Sequence, residues 1–85
     1  MSDHIILGLH VSDRMRDAGK IQALLSEYGC YVKTRIGLHD VNEQFCSPRG
    51  LILLELFGDS AVCMELKGKF EDIEGLDVKE MVFTH

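Results

Sequence analysis

Tryptophan is absent from this chain, proline occurs once, and basic residues are in deficit, with 9 lysines and arginines against 14 acids for a formal charge of -5. A surface that holds a nucleic-acid backbone needs a basic stripe. Direct nucleic-acid binding is therefore not expected. Cysteine is sparse and poorly spaced: Cys30, Cys46 and Cys63 are odd in number and form no CxxC pair. That points away from a disulfide framework or a zinc knuckle and toward reduced thiols in a cytoplasm. No apolar run approaches the roughly 18 residues of a membrane span. The opening MSDHIILGLHVSD has an apolar run but no basic leader region and no small-residue cleavage site, so it reads as a strand.

What is present suits one small globule. Hydrophobic residues make up 46% and charged ones 27%, too apolar a mixture for a disordered tail. A chain of 85 residues buries only about 60% of its unfolded surface, which leaves one core and one expected domain over residues 1–85.

The apolar period switches repeatedly along the chain. From His4 to Val11 it is two, with Ile5, Leu7, Leu9 and Val11 on one side of a strand. Ser12 or Asp13 can cap a helix whose apolar positions are Met15, Ala18, Ile21, Leu24, Leu25 and Tyr28, with Gly29 as its stop. Period two returns from Cys30 to about His39, with Val32, Thr34, Ile36 and Leu38 set against Tyr31, Lys33, Arg35 and Gly37. Asp40 to Gly50 has no period and reads as a loop. The run LILLELFG after Gly50 is apolar on both faces except at Glu55, as an inner strand is. A second helix starts near Asp59, packs Val62, Cys63, Leu66, Phe70 and Ile73, and stops at Gly75; a last strand runs from Leu76 to His85.

This order, β-α-β-β-α-β, contains one strand-helix-strand unit twice. It predicts an α+β ferredoxin-like plait, a four-stranded antiparallel sheet with both helices on one face. The other face is left without a layer. Strict alternation assigns to it Ile6, Gly8, His10, Lys33, Arg35, Gly37, Leu51, Leu53, Glu55, Met81 and Phe83. Half of these are apolar, so the expected cover is a second copy of the chain. Arg35 and Glu55 are expected to pair across neighbouring strands, with anion binding by Arg35 as the other reading.

The stretch TRIGLHDVNEQFCSPRG, Thr34 to Gly50, gathers the reactive side chains. His39 and Cys46 are candidate ligands for a transition metal, completed by a histidine across a subunit interface; the plainer reading is a polar hairpin loop. A Cys46 nucleophile with a His39 base needs a rigid support that a small loop does not give. No catalytic residue is assigned, although a small dimeric plait enzyme, with His10 or His39 in a pocket at the open sheet, stays open as an alternative.

Several segments together resemble the iron-only hydrogenase system regulators: Val-Ser-Asp-Arg after the first strand, Lys33-Thr34-Arg35-Ile36-Gly37-Leu38, Gly50-Leu51-Ile52, and Gly75-Leu76-Asp77-Val78-Lys79. The resemblance implies a small ACT-like plait, similar to the effector domain of nickel-responsive repressors. It implies oligomerisation and a sensing role, and supplies no catalytic site. The nickel-responsive domains carry a His-x-His pair followed by a cysteine; here His39 and Cys46 echo it, and Gly37 stands at the other histidine position. The sequence thus leads to a homo-oligomeric regulatory domain with an unnamed small-molecule effector, sought at Arg35, Gly37, His39 and the loop through Arg49. Glycine permits close backbone approach there, and arginine holds anions. No cofactor is specified.

Overall fold

A computed structural model of the chain describes residues 4–12, 14–41 and 46–84, and of residues 14, 15, 38–41 and 46–49 the backbone alone. The order is β1 (His4–Val11), α1 (Arg14–Glu27), a 3-10 turn (Gly29–Tyr31), β2 (Val32–Val41), β3 (Cys46–Leu56), α2 (Ser60–Glu71) and β4 (Leu76–Phe83). The four strands form one antiparallel sheet in the order β2-β3-β1-β4. This is the ferredoxin-like plait expected from the period changes, with the apolar β3 inside the sheet.

One hydrophobic cluster joins the sheet to both helices. The odd residues of β1, Ile5, Leu7, Leu9 and Val11, are buried with Leu54 and Leu56 of β3 and with Cys63, Leu66 and Phe70 of α2. From α1 come Ile21, Leu25 and Tyr28. Ala18, expected inward, is exposed, and Asp17 takes the buried place instead. Its carboxylate accepts two hydrogen bonds from the neighbouring Arg16, at 3.0 and 3.2 Å. Those bonds hold the carboxyl below its usual 3.8 despite the opposing effect of burial.

Arg16 also ties the helix to the turn before β4, donating to the Glu74 carbonyl at 3.0 Å, while the Ser12 hydroxyl donates to the Gly75 carbonyl at 3.2 Å. Gly75 itself has φ +83, and a Cβ there would run into the Arg16 guanidinium. α2 itself ends at Glu71 with Asp72 as its cap, so the glycine expected to stop it instead makes the turn into β4, where both features require glycine. At the other end of α2, the Asp59 side chain accepts from the Ala61 amide at 2.9 Å as the helix cap.

Other boundaries also differ from the sequence expectation. Gly29 does not end α1 in the left-handed conformation; the chain leaves through the 3-10 turn, with the Tyr31 amide donating to the Tyr28 carbonyl. The expected loop over Asp40–Gly50 is largely strand, with β2 reaching Val41 and β3 beginning at Cys46. Pro48 is compatible with β3 because β1 has already ended, its last partner being Gly50. Here the β2 ladder also shifts, from His39↔Gly50 to Val41↔Cys46, two residues on β2 against four on β3.

Candidate functional site

A second irregularity decides which side chains face away from the helices. Val32 is paired with Leu56, yet Thr34, two residues on, is paired with Glu55, so one extra residue enters β2 beside Lys33. One extra residue inverts the alternation of everything that follows. Thr34 and Ile36 therefore lie opposite Glu55 and Leu53 on the open face, and Arg35 and Gly37 lie opposite Leu54 and Ile52 on the helix side. The sequence expectation for β2 was inverted.

The predicted Arg35–Glu55 pair is accordingly absent. Arg35 donates instead to Gln22 of α1 at 3.2 Å, on the helix side of the sheet. Glu55 is held from both neighbouring strands: Thr34 Oγ1 donates to its Oε1 at 2.7 Å, and His4 Nε2 lies 2.6 Å from its Oε2. The Thr34 hydroxyl, then the His4 imidazole, keeps this carboxyl below its usual 4.5. The Phe83 ring flanks His4, with 6.0 Å between centroids.

Around this polar group the open face is largely apolar. Ile6, Leu51 and Leu53 are half-buried, while Ile36, Met81 and Phe83 are 48%, 54% and 50% exposed. Exchanging Arg35 and Gly37 for Thr34 and Ile36 takes a cation off this face and adds an isoleucine to it. His10, Asp77 and Lys79 bring charge and polarity to its far end, opposite Leu51 and Gly8.

The remaining candidates are distributed elsewhere. Gly37 is exposed on the helix side of the sheet, and a Cβ there would meet open space, so the chain's own packing does not demand glycine. His39 has a backbone position opposite Gly50, and Cys46 opposite Val41. The side chains of His39, Cys46 and Arg49 lie outside the described residues, as does the whole of 42–45. Among the described residues no three histidine, cysteine or acidic side chains gather as a metal site, and no helix is long and apolar enough to cross a membrane. Cys63 packs in the core, where burial and then the charge of Asp59 push its thiol up, away from a reactive thiolate.

The sequence missed Thr34, Ile36 and His4. A one-residue bulge leaves no mark in apolar period, since Val32-Lys33-Thr34 fits an uninterrupted strand equally well. His4 was legible as a strand residue, but its partner was assigned to Arg35.

These features define a ferredoxin-like α+β plait with one sheet face lacking a layer. Among solved structures the chain is similar to the uncharacterized protein TM1266 from Thermotoga maritima, at TM-score 0.83 and 26% identity, over 99% of this chain and 100% of that one. It is also similar to part of a formyltetrahydrofolate deformylase from Pseudomonas putida, at TM-score 0.55 and 20% identity, over 92% of this chain and 28% of the enzyme. That second likeness concerns the fold alone. No protein-family model and no curated protein matches the chain.

Proposed function

We propose that the chain is a cytoplasmic, homodimeric ACT-like regulatory domain whose two copies meet through their open sheet faces and hold a small-molecule effector at the junction. The resemblance to the iron-only hydrogenase system regulators implies the oligomerisation and the sensing role; the choice of the open face is drawn from the fold. Any effect on transcription then passes through a separate DNA-binding partner, because the net charge of -5 does not suit a nucleic-acid backbone.

The observation that carries the dimer is the apolar open face. Covering apolar surface is worth roughly 25 cal/mol per Å². With 8 residues in β1, the face is about 26 Å long and, over four strands, about 19 Å wide. That is about 500 Å² of flat sheet per copy, and side-chain relief adds to it. Two such faces reach the low end of specific interfaces, about 1,200 Å² in total. A second copy is the partner whose face matches in size and apolar character by construction.

Leu53 lies on β3, between Gly8 of β1 and Ile36 of β2. Sedimentation velocity should show a dimer at low micromolar concentration, and Leu53→Asp should weaken it by at least about thirtyfold, as burying a lone carboxylate at an interface centre costs over about 2 kcal/mol. A wild-type monomer at those concentrations contradicts the reading. Effector binding is tested by thermal shift, since a ligand held only by the folded dimer raises its melting temperature.

A further inference from the structure

We infer that association through the open face takes up protons, with the His4–Glu55 pair as the element that links assembly to pH. The inference rests on the dimer proposed above and concerns how that interface is regulated. Glu55 stands on an inner strand, paired with Ile6 on one side and Thr34 on the other, with Leu53 two residues away on the same face. It is the acidic group set among the apolar side chains that a partner would cover.

Covering the face strips water from this carboxylate. A buried charge persists only when it is paired and hydrogen-bonded; otherwise it takes a proton. His4 Nε2, 2.6 Å from Oε2, is the group that shares a proton with it, since an imidazole nitrogen can accept a proton and then donate it. In the covered state one proton is held between imidazole and carboxylate, whichever atom carries it. A proton gained by the pair as the face closes makes the dimer more favoured as pH falls.

Other charged groups among the described residues on this face act on the pair differently. Lys33 of β2 acts on Glu55 through its charge alone, after both hydrogen bonds. From β4, Phe83 and Met81 are apolar and flank His4 and Ile6. His10, Asp77 and Lys79 lie at the opposite end of the face, where His10 is paired with Asp77 and Lys79 with Gly8. The helices occupy the other side of the sheet.

The sign follows from mass action: each proton taken up multiplies the dissociation constant by up to about ten per unit rise in pH. Sedimentation velocity on the wild type, His4→Gln and Glu55→Gln at pH 6 and pH 8 tests it. The wild-type dissociation constant should rise at least about tenfold from pH 6 to pH 8, and both variants should lose most of that dependence. Whatever slope persists in the variants measures general repulsion between acidic chains. A wild-type dimer with equal affinity at both values, or variants with an undiminished slope, overturns the inference and leaves the dimer standing. A monomer at every pH overturns the dimer itself. Circular dichroism of each variant at both pH values separates weakened pairing from unfolding.

Discussion

Thr34 donates its hydroxyl proton to Glu55 at 2.7 Å, and that bond is made because an extra residue in β2 puts Thr34 rather than Lys33 opposite Glu55. Deleting Lys33 removes the bulge but keeps the pairing, since Val32 stays opposite Leu56 and Thr34 stays opposite Glu55. Thr34→Val removes the donor and should cost about 1 kcal/mol in urea unfolding. Lys33→Ala keeps the bulge and should stay within about 0.5 kcal/mol of wild type. Equal effects from Thr34→Val and Lys33→Ala would show that the hydroxyl bond adds nothing to stability.

Phe70 has no exposed surface and packs with Leu66 and Cys63 against the sheet. Phe70→Ala should cost about 3–5 kcal/mol. Domains have about 5–15 kcal/mol in total, so the variant should melt far lower and bind hydrophobic dyes at 37 °C. A melting point within a few degrees of wild type would place the core elsewhere.

Two glycines should respond in opposite directions to alanine. Gly68 sits inside α2, and an added Cβ meets nothing within 4 Å, so Gly68→Ala should gain about 1 kcal/mol from helix propensity alone. Gly75 has φ +83 and faces the Arg16 guanidinium. Gly75→Ala should lose at least about 1 kcal/mol, since L residues pay for the left-handed conformation and Arg16 must shift. Chemical denaturation of the two single variants reads the sign directly.

Asp17 and Glu55 both have carboxyls held below their usual 3.8 and 4.5 in the folded chain, by Arg16 in one case and by Thr34 then His4 in the other. Groups with lowered folded values stabilise the native state fully above their unfolded values and stop doing so as pH falls through the folded ones. The urea midpoint should therefore begin to drop below about pH 4.5 and continue downward. In the Asp17→Asn, Glu55→Gln double variant the drop should be shallower. An unchanged acid limb would assign the transition to other carboxylates.

The element order was legible because each segment has its own apolar period and its own stop, as with the alternating β1 and the capped start of α2 at Asp59. Single residues that break a period were not. The bulge beside Lys33 hides inside an ordinary strand pattern, and Asp17 was passed over because a carboxylate on a buried helix face is recognisable only once Arg16 is seen folded back upon it. The hairpin strands beyond Leu38 were concealed by turn-forming residue types, since Pro48 is acceptable in β3 only where its β1 neighbour has stopped. The open face was thus visible as a consequence of the fold, while its membership along β2 required the register.

Intermolecular contacts across that face are the most direct test of the whole account. In a sample mixing isotope-labelled and unlabelled chains, filtered nuclear Overhauser spectra should show methyl contacts between copies at Ile6, Ile36, Leu53 and Met81. Contacts confined to the helices or to the outer edge of β4, or none at all at millimolar concentration, would contradict it.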